Sequence, residues 1–185
     1  MTAFNLASAS RVSGNSCEAL LRSIASLLVT SEFIAGFLGA LRRESEFSGE
    51  LAATLDSILA ATQAGPTHLY QPLAEVGAKL PPATDTAAGA LITGFFLPLP
   101  AAGTLGVLTA DVANNLRMLM QHVERKAHLA AEEALMVGQN KICHGLMLWA
   151  GEWRACDEGL RAATIRSRTK AYIAGPDDVD IAVGA

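Results

Sequence analysis

Apolar residues recur at steps of three and four through much of this chain. The clearest case runs from Ala101 to Ala174, a stretch without proline. One seam there is Leu108, Val112, Leu116, Leu119 and Val123; a second is Ile142, Leu146, Trp149, Trp153, Cys156 and Leu160. Such spacing puts each set on one side of an α-helix, and each side needs a surface to bury against. The first seam extends through Ala127, Ala130, Ala134, Val137 and Lys141, whereas the second starts at Ile142, one residue later. One residue is about 100° of helix rotation, so the region either breaks near Gly138 or shows different faces to two partners.

Upstream, Asn15 stands three residues before Glu18, in the spacing of a capping box. The helix it opens carries Leu20, Ile24, Leu27, Ile34, Leu38 and Leu41, with Ser31 interrupting the seam and Arg42 and Arg43 at its end. A second helix is predicted from Ser48 to Gln63 on Leu51, Leu55, Ile58 and Leu59, ended by Gly65-Pro66. A short helical turn follows from Pro72 to Lys79, stopped by Leu80-Pro81-Pro82. Between Asp85 and Asp111 there is no charge, and Pro98 and Pro100 divide that stretch into two expected helices. Alternating runs rich in Val, Thr and Tyr are missing, as are Asn-Gly and Asp-Gly turns, so no strand is predicted.

These elements predict an all-α helical bundle with a long C-terminal helix, or helix pair, kinked near Gly138. The expected layout is an irregular N-terminal arm over 1–14, one bundle domain over 15–175, and an acidic tail over 176–185. The expected core is Leu20, Ile24, Leu27, Ile34, Leu38, Leu55, Ile58, Val112, Leu116, Leu119, Ile142, Leu146, Trp149 and Trp153.

Composition sharpens this picture. Hydrophobic residues make up 51% of the 185 residues and charged residues only 17%, against the usual quarter or so charged; mean hydropathy is +0.31. Such a chain must hide apolar surface in a core, a subunit interface or a bilayer. The net charge of −4 argues against nucleic-acid binding through bulk charge. Cys17, Cys143 and Cys156 form no CxxC pair and are odd in number, which points to a reducing compartment or an assembled particle rather than a disulfide scaffold. Residues 1–17 hold Arg11, several Ser and Ala, and no acid, a composition faintly similar to an organelle-targeting segment.

Four groups carry candidate chemistry. Glu124, His128 and Glu132, at i, i+4 and i+8, share one helical face where a metal could bind if another helix supplied ligands. The helical di-iron pattern needs Glu-x-x-His, which the chain lacks, so a solvated face is the simpler reading. Cys143 and His144 are adjacent and point about 100° apart, while Cys156 sits on the tryptophan seam as a small core residue. Arg154, Arg161 and Arg168, at steps of seven, form a stripe that could hold phosphate, although only Tyr172 lies near to stack a base. Finally, Ile24–Leu41 carries Glu32 as its only charge and small residues at Ala35, Gly36, Gly39 and Ala40, while Thr86–Ala110 is uncharged. Both are long enough to meet lipid, but Glu32 and the prolines count against clean spans.

No phosphate loop, GxGxxG, Gly-x-Ser-x-Gly or His-Glu-x-x-His occurs. No catalytic residue, metal or cofactor is therefore assigned, and an enzyme is not expected. The expected function is that of a structural or assembly protein: a helical subunit of a homo-oligomer, coat, filament or larger complex. In it, Arg154, Arg161 and Arg168 would be the contact to nucleic-acid phosphate, and Ile142, Leu146, Trp149 and Trp153 a core or self-association seam. The alternatives are a membrane-associated protein inserting helices 24–41 and 86–110, and a metal- or cofactor-binding bundle.

Overall fold

The structure, a computed structural model, describes residues 6–44, 49–82 and 110–174, with side chains for 16–43, 49–82, 112–166 and 169. Four helices make up the described part: α1 (Leu6–Glu44), α2 (Gly49–Glu75), α3 (Ala110–Met136) and α4 (Asn140–Ala174). No strand occurs among the described residues. The fold is an all-α bundle. The two proline-flanked helices expected between 85 and 110, like the tail over 176–185, lie outside the described residues.

Each helix packs on two neighbours: α4 on α3 and α2, and α1 on α3 and α2. Side-chain pairs fix the directions, because one residue number falls as its partner's rises. Arg166 meets Glu50, Cys156 meets Ser57, and Lys141 meets Glu75, so α4 runs antiparallel to α2. Arg42–Asp56 and Ser31–Thr62 make α1 antiparallel to α2. Arg117–Asp157 and Arg154–Glu124 do the same for α3 and α4. It follows that α2 and α3 are parallel across a diagonal. The end of α2 and the start of α3 therefore lie at opposite ends of a bundle about 40 Å long, at 1.5 Å per residue.

All fourteen expected core residues are buried in one cluster, joined by Leu69, Leu73, Met120 and an alanine row at 127, 130, 131 and 134. Ile142, Leu146, Trp149 and Trp153 belong to that cluster, so the seam is internal packing and is not free for another copy.

Three local expectations are corrected. First, α1 begins at Leu6, so the backbone of 6–14 is helical and Asn15–Glu18 is not the start. Its alanines and serines are tolerated in a helix, and Gly14 costs it only about 1 kcal/mol. Second, α2 does not stop at Gly65-Pro66; it continues through Pro66 and Pro72 to Glu75. A proline removes the N–H that would bond the carbonyl four residues back. Here Thr62 O, orphaned by Pro66, accepts the Ser31 hydroxyl of α1 at 2.9 Å. The polar residue that interrupts the α1 seam thus repairs α2 from outside.

Third, the expected C-terminal helix pair is present, but it is joined by a reversal and not by a kink. Gly138 has φ +76°, its N–H bonds Leu135 O, and the Gln139 N–H bonds Ala134 O. This is the paired closure of a glycine-capped helix end. The same closure ends α2: Gly77 has φ +63°, with Gly77 N–H on Ala74 O and Ala78 N–H on Leu73 O.

Candidate functional site

Two places stand out: a polar cleft between α2 and α4, and an apolar end of the bundle. The cleft begins with Gly145, buried on α4 at the point where a side chain would meet the His68 carbonyl, 2.8 Å from a Cβ. That carbonyl is the one freed by Pro72. Close approach here and divergence beyond leave a cleft of about 530 Å3, lined by Thr67, His68, Gln71, Glu75, Asn140, Lys141, His144 and Leu148, among others. His68 Nε2 bonds Glu152 Oε1 at 2.9 Å, tying α2 to α4. Lys141 and Gln71 both donate to Glu75 and hold its carboxyl below the usual range, Lys141 having the larger effect.

A histidine bonded to a carboxylate is half of a nucleophile-activating arrangement. Of the nearby side chains, the Thr67 hydroxyl donates to Gln63 O and the Lys141 amine to Glu75, so neither is bonded to His68. No group of three or more His, Cys, Asp or Glu that could hold a metal occurs among the described residues. Acidic and basic side chains face each other here in near balance, so the cleft is a fastening of two helices with room beside it.

The expected sites are dispersed. Glu124 and His128 do share a face, but Arg154 of α4 occupies it, with Nε 2.8 Å from Glu124 Oε1 and Nη2 3.4 Å from His128 Nε2; Glu132 is exposed. A guanidinium in that position repels a metal ion. Arg154 is thereby drawn out of the arginine stripe. Arg161 is exposed, and the Arg168 side chain lies outside the described residues. Arg166, not part of the stripe, pairs with Glu50. Cys143 is half-buried and His144 exposed, and thirteen residues of helix, about 20 Å, separate Cys143 from Cys156. Cys156 is buried against Ser57 O, and its thiol is pushed up to about 11, by burial first and by nearby Glu152 second.

The apolar end was not legible as a site. Tyr70 of α2, Val76 just after it, Leu135 and Met136 of α3, and Met147 and Leu148 of α4 are all exposed toward the end where α2 and α3 finish and α4 starts; Met136 is 79% exposed. Leu135 and Met136 close α3 and Met147 lies about two turns into α4, on either side of the Gly138 reversal. Methionine side chains there are flexible and polarisable, which suits a contact surface.

On the opposite flank, Lys126 of α3 donates to the buried Ser26 hydroxyl of α1 at 2.9 Å, beside a smaller cleft of about 240 Å3. The α1 segment Ser16–Arg43 is the one described helix long and apolar enough to cross a membrane, and half of its most apolar window is buried in the bundle. Its Gly36 side faces open space. The other stretch expected to meet lipid, 86–110, lies outside the described residues except Ala110. No family model matches the chain, and neither a characterised protein nor a solved structure shows a match to it.

Proposed function

We propose that this chain is a structural subunit that associates with copies of itself through the apolar end of its bundle. The observation that carries this reading is the gathering of Leu135, Met136, Met147 and Leu148, with Tyr70 and Val76, at one end. The long seams are consumed inside the monomer, and six of the ten large apolar side chains exposed among the described residues lie toward this end, the others being Phe33, Met118, Leu129 and Ile165. Large exposed apolar patches mark contact sites, and one patch meeting its own copy gives a closed two-fold pair. Sedimentation velocity over a range of concentrations tests it. The expected result is a mass that rises with concentration, and a monomer when Leu135, Met136 and Met147 are all changed to Glu. A monomer at every concentration for the unaltered chain ends this reading.

A second reading has its own support in α1, whose apolar span and open Gly36 side suit contact with lipid. In it the helix would leave the bundle to insert. Vesicle flotation decides: protein that stays at the bottom of the gradient with both neutral and anionic vesicles removes it.

A further inference from the structure

We propose that residues 66–75 of α2 form an arm that opens as a unit about Gly65–Pro66, while the first part of α2 stays docked. The two parts of this helix are fastened differently. Before the hinge, Leu51, Leu55, Ile58, Ala61 and Thr62 are buried. That part is also bonded to both neighbours: Arg42 and Ser31 reach it from α1, and Trp149 Nε1 donates to Ala61 O at 2.9 Å from α4. Beyond the hinge only Leu69 and Leu73 are fully buried. The described polar ties of that part to the rest of the bundle all go to α4, through His68–Glu152 and Glu75–Lys141.

The backbone marks the same boundary. Pro66 and Pro72 each remove one rung of the α2 ladder, and prolines are a usual cause of helix bending. The rung lost at Pro66 is replaced by Ser31, which holds Thr62 on the near side of the hinge and gives nothing to the far side. Gly65 lies flat against the Trp149 indole with no room for a methyl group, so the hinge itself is pinned. The cleft of about 530 Å3 already parts the arm from α4 along one edge. Opening uncovers Gly145 and Leu69, next to the exposed Leu148. This inference rests on how α2 is fastened to α1 and α4, and not on the proposed self-association.

Hydrogen exchange on the full chain tests it. Amides of 68–75 are expected to exchange together, at least roughly tenfold faster than those of 52–64 after correction for intrinsic rates, because sub-global units open independently. His68→Ala or Glu152→Gln should speed exchange in the arm several-fold and leave 52–64 unchanged, as expected for loss of a tie made only by that unit. Pro66→Ala, which returns the missing N–H, should narrow the gap. Equal protection along all of α2 overturns the proposal, and so does a smooth gradient rising toward Glu75, which is ordinary fraying. The unaltered protein alone decides between these outcomes, so a variant that fails to fold leaves the test intact.

Discussion

The two faces of α4 are built to different rules. Toward α3 it meets a helix joined to it by three residues, with small buried side chains at Ala127, Ala131 and Ala134. Charge fixes the register there: Asp157 accepts from Arg117 Nε at 2.8 Å and from Gln121 Nε2 at 3.0 Å, and Arg154 reaches Glu124. Toward α2 it meets a partner far away in sequence, through ion pairs at Glu50, His68 and Glu75 and one large shape match between them. The Trp149 indole fills the space over Gly65 and donates to Ala61 O, with the Trp153 ring 6.4 Å from it. Repeated small residues spread an interface over many weak contacts. A single ring in a single gap concentrates it, and one substitution should then do much more damage.

The largest effect should come from Trp149→Ala, which removes the ring and its bond together. Unfolding in urea should show a loss of about 4 kcal/mol, the range for deleting a buried aromatic. If the loss is near 1 kcal/mol, the concentrated interface does not exist. Next, Gly65→Ala should cost about 2–3 kcal/mol by overpacking against the ring. Ala131→Gly on the distributed face should cost only about 1 kcal/mol, mostly helix propensity. Equal costs for the two would erase the contrast.

Ser31→Ala should cost about 1–2 kcal/mol, because it leaves the Thr62 carbonyl buried without a donor. Combining it with Pro66→Ala, which supplies a backbone donor, should recover part of that loss. A further effect is on pH, confined to the alkaline range. The Cys156 thiol ionises at about 11 in the fold against an ordinary value of 9.0. An acid whose pKa is raised by folding keeps the folded state favoured below the unfolded pKa and loses that contribution as pH rises from about 9 to about 11. Thermal melts of the native chain should fall faster over that window than those of Cys156→Ala.

Much of this architecture was readable in advance, and the misses have physical causes. The fourteen core positions were found because steps of three and four leave a helix no other way to bury them. The break at Gly138 was visible as a shift of one residue between seams, although its form, a reversal with a capped end, was not. The far half of α2 was missed because Gly65-Pro66 has the composition of a stop. What lets the helix continue is a serine thirty-one residues earlier on another helix. His68 was missed for a similar reason: its partner Glu152 is eighty-four residues away, and no local spacing links them. The arginine stripe was read from a spacing of seven, and sequence alone did not reveal that Glu124 of α3 would hold Arg154.

The most direct test of the account is the fluorescence of the two tryptophans in the native chain. Both rings are at 0% exposure, on the seam that joins α4 to α2. The account predicts blue-shifted emission that iodide does not quench until the chain unfolds. Emission that is red-shifted and quenched in the native state would contradict it.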